Sequence, residues 1–378
     1  MKKQLLSTSA IALGVAMASP AAAQQWDLEW GGFVNTHVGA SDVDLPSDYK
    51  ADYTADLDGV NILTNSEIIF RPSVTLDNGL TFGVNVEMEA LNGGGGQDGI
   101  DESYAYMESD TLGRIEAGSH NSAGYLLSKG APSVGSMAIN SPSISAFVPF
   151  LSKQGFRQAG ISSYTEVAGN NDVQRLTYFT PSFNGLVVGV SYAPSSAGNA
   201  SNNAPVISNS PAQVTDIFDI GAAYDQSFGA VDLGLSARWG TGNSNDAVID
   251  DPTTWSVGAN LGVSGFTFGG SYGENDNGVA SGEDYNEGFS LGVSYDVAGP
   301  WTVGLETYQG ELKNADGAPD SDYETYKLAG SRSLGSGVSW DVYYAYVETN
   351  NGAAFGDPKV VEGKVEGNVI ATAINLSF

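Results

Sequence analysis

Taken two residues at a time, long stretches of this 378-residue chain alternate between apolar and polar side chains. That is the period of an extended strand with one apolar and one polar face. The chain stops on VIATAINLSF, where Ile370, Thr372, Ile374, Leu376 and Phe378 share one face and Val369, Ala371, Ala373, Asn375 and Ser377 the other. Near the start, WDLEWGGFVNTHVG (26–39) sets Trp26, Leu28, Trp30, Val34 and Val38 against Asp27, Glu29, Asn35 and His37. SEIIFRPSVTL and LTFGVNVEMEA flank Asn78-Gly79, a pair whose glycine supplies the positive φ that a tight hairpin requires. The unit recurs: RLTYFTPSF-NG-LVVGVSYA, IFDIGAAY with VDLGLSARW, WSVGANLGV with FTFGGSYG, FSLGVSYDV with WTVGLETYQ, and YKLAGSRS with VSWDVYYAYV. With YAYMES and RIEAGS, the pattern predicts about sixteen strands.

The connections alternate as well. Short Gly/Asn/Asp turns close one end of each hairpin, and long polar loops lie at the other: 39–60, 91–100, 194–213, 241–252, 273–284, 310–322 and 348–366. Strands of roughly ten residues, even in number, with short turns at one end and long loops at the other, are the pattern of a transmembrane antiparallel β-barrel. Lipid leaves no partner for a free backbone N–H or C=O, so a spanning sheet has to close on itself. The apolar stripe then faces hydrocarbon, the polar stripe a water-filled lumen, and the strand ending in Phe378 seals against the one starting at Trp26. Tyr192, Tyr224, Trp239, Tyr272, Trp301 and Tyr346 suit interfacial girdles.

The start of the chain narrows the setting. Lys2 and Lys3, an apolar stretch from Leu5 to Ala18 and Ala21-Ala22-Ala23 read as an export signal over residues 1–23, leaving one barrel domain over 24–378. Cysteine is absent, which fits an exported chain without disulfides. The formal charge is −29, and the leader removes two lysines and no acid, so the mature chain is still more acidic and repels nucleic acid. Eighteen tyrosines and an aromatic content of 10% argue against disorder.

The terminal phenylalanine strand, LGRIEAG (112–118) and YFTPSFNGL (178–186), in this order and spacing, resemble the general diffusion porins of Gram-negative outer membranes, in particular their trimeric sixteen-stranded family typical of proteobacteria. The resemblance implies an outer-membrane homotrimer that passes small hydrophilic solutes without catalysis or cofactor, and a third loop, here 120–172, folded into the barrel to narrow it. That stretch departs from the enterobacterial type: SISAFVPFLSKQGF (143–156) replaces an acidic PEFGG segment, and Ser119 stands where an arginine follows the turn motif.

On the strand faces, Arg71, Arg175, Arg238 and Lys327 point inward, with Glu67, Glu87, Glu89 and Asp232 among the carboxylates. They read either as a transverse field across a constriction or as ordinary lumen solvation. Arg71 and Arg175 flank the long loop and are candidates for the eyelet, as are Lys129, Lys153 and Arg157 on the loop itself. The loop's Phe147, Phe150 and Phe156 are expected against the barrel wall. The acidic loops DYKADYTADLDG (48–59), GENDNG (273–278) and NADGAPDSD (314–322) read as solvated charge or as places where divalent cations bridge lipopolysaccharide; none has the spacing of a calcium loop. His37 and His120 stand in no hydrolytic motif, so catalysis is not expected and no metal or cofactor is implied. A channel selective for one solute, or a receptor or adhesin barrel working through its long loops, is the alternative.

Overall fold

The computed structural model describes residues 25–45, 57–91, 99–139, 142–148, 166–167, 171–198, 214–246, 250–276, 285–313, 320–351 and 363–378. The leader and the loop positions Lys153, Arg157, Phe150 and Phe156 lie outside them. Sixteen strands run in sequence order: β1 (Asp27–Asp44), β2 (Gly59–Thr75), β3 (Thr81–Leu91), β4 (Ser103–Ser109), β5 (Gly113–Ser119), β6 (Gln174–Phe179), β7 (Leu186–Ser195), β8 (Val214–Phe228), β9 (Val231–Ser244), β10 (Thr253–Val263), β11 (Phe266–Asn275), β12 (Tyr285–Asp296), β13 (Trp301–Lys313), β14 (Ser321–Gly335), β15 (Val338–Asn351) and β16 (Gly363–Ser377). Each pairs antiparallel with its neighbours, and β16 pairs with β1, giving a closed barrel. No helix among the described residues is long and apolar enough to span a bilayer; the crossing is made by strands.

The seam explains the terminal phenylalanine. Gly32 N–H donates to Phe378 O and Phe378 N–H to Gly32 O, each at 3.1 Å, so the last residue completes the ladder. Its ring is 69% exposed on the outward face, beside the apolar residues Ile374 and Leu376. The hairpins close as the turn residues dictate: Ser264 (φ 52°) with Gly265 (φ 83°), and Asn184 (φ 49°) with Gly185 (φ 89°), put two consecutive residues in the left-handed region. In the second hairpin β6 ends at Phe179, ahead of Thr180-Pro181, because proline has no N–H for the ladder. Phe183 and Leu186 then form an isolated bridge at the turn.

Two expectations change. The strands at the long-loop end extend past the alternating pattern: β1 continues to Asp44, β15 to Asn351, and β16 begins at Gly363. At eighteen residues, β1 rises roughly 40 Å along the barrel axis for a 45° tilt, well beyond the ~25 Å apolar band of such barrels. Beyond the bilayer both faces can be polar, so alternation disappears while the ladder continues. The inner wall is also not uniformly polar. Val43, Leu63, Tyr308, Tyr343, Val347 and Val369 point inward and are buried in one cluster with Val134, Met137, Ile139, Ile144, Phe147 and Val148 from the long loop. A barrel that folds its own loop inside needs an apolar wall for the loop to pack on.

Candidate functional site: the inner wall and its loop

The segment after β5 turns into the barrel and follows the wall around it. A short helix, α1 (Ala123–Leu127), is capped by Ser122, whose side chain accepts from Tyr125 N–H. Ala123 N–H donates to Ser191 Oγ on β7 (3.2 Å), Gly124 N–H to Asp219 Oδ1 on β8 (2.5 Å), Lys129 N–H to Ser236 Oγ on β9 (2.9 Å) and Ala131 N–H to Ser290 Oγ on β12 (3.1 Å). Farther on, Ser133 Oγ donates to Glu306 Oε1 on β13 (2.8 Å), Ser136 N–H to Asp341 Oδ2 on β15 (2.9 Å) and Tyr323 Oη on β14 to Ile139 O (2.7 Å). Phe147 lies against Gly39 and Ala371, and Asn61 on β2 donates to Ala146 O (2.6 Å). Between α1 and Val148 the chain thus touches the wall from β7 round to β2.

The wall is built to receive it. Seven consecutive strands carry a glycine two residues from a hydrogen-bonding side chain, both pointing inward: Gly189 and Ser191, Asp219 and Gly221, Gly234 and Ser236, Ser256 and Gly258, Gly269 and Ser271, Ser290 and Gly292, Gly304 and Glu306. The order reverses from strand to strand because the strands are antiparallel. Ser191, Asp219, Ser236, Ser290 and Glu306 bond the loop, and on all seven strands the glycine makes room for it. A Cβ on Gly221 would lie 2.7 Å from Gly124 Cα, and one on Gly304 2.6 Å from Val134 Cγ2. Sequence reasoning missed this track. Its signal was present as the repeated G-x-S and S-x-G on β7 and β9–β12.

The basic residues divide into two groups. Arg238 is buried under the loop, with Nη2 2.6 Å from Asp219 Oδ2 and 3.4 Å from Glu166 Oε2; Arg175 Nη1 is 4.0 Å from the same Glu166 oxygen. Lys327, 1% exposed, sits 2.5 Å from Glu306 Oε1 and donates to Ser133 Oγ (3.0 Å) and to Met137 O. Three of the inward cations expected from the sequence therefore hold the loop. Arg71, by contrast, keeps a side-chain exposure of 44% beside Glu87 (3.6 Å), and its Nε donates to Asn85 Oδ1 (2.9 Å). Lys129 reaches back to Asp225 (2.8 Å) and Asp232 accepts from Ser227 Oγ (2.5 Å), both low on the inner wall. Glu67 and Glu89 lie directly opposite each other on β2 and β3.

Arg114 was not among the expected candidates. It points inward from β5, stacks over the Tyr106 ring (3.9 Å to the centroid), and pairs with Glu108 (2.6 Å) and Glu116 (2.5 Å). The face pattern could have found it, since RIEAGS alternates like every other strand. At the root of the loop His120 packs on Tyr104 (4.8 Å between centroids), and burial together with Arg175 pushes its imidazole down to about 3, so it is neutral at physiological pH. Where the loop rejoins the barrel, burial and then the nearby Asp101 and Glu102 raise the Asp172 carboxyl to about 8; Glu102 itself is raised to about 7, first by burial. Among the described residues no three His, Asp or Glu side chains converge as metal ligands.

A closed sixteen-strand barrel with an apolar exterior and an internal loop now has its sequence counterpart: residues 7–352 match the family model described as Gram-negative porin. The chain belongs to the Gram-negative porin family. As such it forms a water-filled channel across the outer membrane, through which small hydrophilic solutes and ions diffuse passively. Solved structures support the fold. The porin is similar to the anion-selective porin from Comamonas acidovorans (18% identity, 94% of this chain and 100% of that one, TM-score 0.60). It is also similar to OmpT of Vibrio cholerae in its trimer form (12%, 93% and 99%, 0.61) and to Salmonella typhi OmpF in complex with daunomycin (16%, 94% and 98%, 0.58). No curated protein sequence gives a significant match.

Proposed function

We propose that residues 120–172 form the constriction of this porin, that the pore is passive and non-enzymatic, and that three copies assemble in the outer membrane after removal of residues 1–23. The observation that carries the reading is the loop's course inside the barrel, with its backbone N–H groups bonded to wall side chains on β7, β8, β9, β12 and β15. A loop lying in the lumen takes cross-section away from water. His37 supports a channel without a hydrolytic centre: it is buried, with Nδ1 3.2 Å from Tyr343 Oη and Nε2 3.3 Å from Ser136 Oγ, so it ties loop to wall. The outward belt, including Leu235, Val257, Leu291, Leu305, Leu328 and Ile370, faces outer-membrane lipid. Lipopolysaccharide, bridged by divalent cations, is the partner assigned to the acidic segments 48–59, 273–278 and 314–322. The trimer rests on the family resemblance and on the trimeric OmpT structure.

Single-channel recording in a planar bilayer tests the reading. Wild type should give ohmic steps grouped in threes, and deletion of residues 140–160 should raise the conductance of each step. Unchanged conductance in a folded deletion variant would remove the constriction from this loop. A small conductance that one solute modulates would point to a solute-selective channel instead.

A further inference from the structure

Among the described residues, Arg332 differs from every other basic side chain. Each of the others lies within 4.0 Å of a carboxylate oxygen. Arg332 has no such partner there, and it is exposed on the outward face of β14, in line with Leu328 and Gly330. β14 ends at Gly335, so Arg332 sits close to the short-turn end of the barrel, which faces the periplasm in barrels of this kind. At this level, where lipid meets water, an outward arginine costs little. Two tryptophans flank it: Trp301 on β13 and Trp340 on β15 are its direct partners in register. Arg332 Cζ is 5.9 Å from the Trp301 ring centroid, and the two indoles meet across β14 with centroids 5.6 Å apart. Trp340 Nε1–H donates to Thr372 Oγ1 on β16 (2.7 Å), which fixes its ring.

Toward the bilayer centre an open groove of about 730 Å³ continues from this row, lined by Val303, Leu328, Gly330, Val342, Tyr344 and Ile370. Gly330 is outside the left-handed region, and a Cβ there would meet only ordinary contacts, Trp301 Cζ3 at 3.5 Å and Val303 Cγ1 at 3.8 Å. Neither conformation nor packing requires a glycine. A strand glycine of this kind marks a place where another molecule comes close to the backbone. We propose that the row Trp301–Arg332–Trp340 and the groove beside Gly330 hold an anionic phospholipid of the periplasmic leaflet, with its phosphate on Arg332 and an acyl chain in the groove. A guanidinium suits phosphate oxygens because it offers two parallel N–H donors. The groove alone accepts any acyl chain, so the preference comes from the headgroup. No described carboxylate neutralises Arg332, and phosphatidylcholine brings a cation of its own. The site lies on the membrane face, apart from the pore, and does not depend on how solutes pass.

The test uses the full-length protein reconstituted in phosphatidylcholine vesicles with rising fractions of phosphatidylglycerol whose acyl chains are dibrominated. Bromine quenches tryptophan on contact, so comparison with brominated phosphatidylcholine gives the relative affinity of the two lipids at the indoles. Wild type should favour phosphatidylglycerol about fivefold, the worth of one basic residue beside an anionic lipid. Trp301→Phe with Trp340→Phe should remove that preference, because the remaining tryptophans, Trp26, Trp30, Trp239 and Trp255, lie on other strands. Arg332→Gln should bring the ratio to unity, while Lys364→Gln, at the long-loop end of β16, should leave it unchanged. Equal quenching by the two lipids in wild type, or a preference that persists in Arg332→Gln, would overturn the proposal. So would a Trp301→Phe, Trp340→Phe protein that loses no quenching by either lipid, since a second copy would then cover this face.

Discussion

Replacing Lys327 by methionine tests the idea that the inner loop is held by buried charge. Lys327 and Glu306 lie 2.5 Å apart on adjacent strands, directly opposite in register, and both are shielded from water by Ser133 to Met137. Methionine keeps most of the volume and removes the charge, leaving the Glu306 carboxylate buried with Ser133 Oγ as a neutral partner. Breaking a buried pair from one side costs about 3–5 kcal/mol. The Ser133–Met137 segment, held by a few hydrogen bonds of about 1 kcal/mol each and by Val134 and Met137 in the apolar cluster, loosens under that cost, since lifting it readmits water to the carboxylate. Lys327→Met should therefore increase conductance and open-channel noise, with the barrel intact. Removing both charges, in Lys327→Met with Glu306→Gln, should restore a quiet pore close to wild type, and the cycle should show a coupling of about 2 kcal/mol or more in thermal unfolding of the detergent-solubilised protein. If the single variant conducts and melts like wild type, or the double variant is no better than the single, the pair does not hold the loop.

Further outcomes follow from the same contacts. Gly304→Val places a branched side chain where Val134 already sits, 2.6 Å from the new Cβ, and should cost about 1–3 kcal/mol while widening the pore; a melting temperature and conductance equal to wild type would refute the glycine track. Phe147→Ala removes a ring that is 3% exposed among Gly39 and Ala371, and should lower stability by about 3–5 kcal/mol, measured by heat-induced unfolding on gels. Asp172 gives a pH dependence. Its carboxyl is raised in the folded state by burial and by Asp101, Glu102 and Glu166, so the stability tied to its protonated form is present at low pH and lost as pH rises through about 8. The melting temperature should fall as pH rises from about 4 to about 8 and level off above that, and Asp172→Asn should flatten that fall.

How much of this was legible in the sequence depends on the range of the interaction concerned. Alternation and turn chemistry act between neighbours, so the strands, the Asn184-Gly185 and Ser264-Gly265 hairpins and the inward faces of Arg71, Arg175, Arg238 and Lys327 could be read directly. Closure followed from the same pattern, because a lipid-facing sheet cannot keep an edge. The loop's destination also followed, from its length and the family resemblance. What an inward residue does there could not be read, because it depends on what lies over it. Arg175, Arg238 and Lys327 share a face with Arg71, yet the loop covers three and leaves one wet. The repeated glycine and serine look like any small lumen residues until the loop backbone is laid across them. The inner apolar cluster reads as a broken pattern until Phe147 and Val148 fill it. Strand periodicity is local, so the order of residues along the chain already implied a closed membrane barrel and which side chains face inward. Which inward charges are covered depends on burial by a distant segment, a property of neither segment alone.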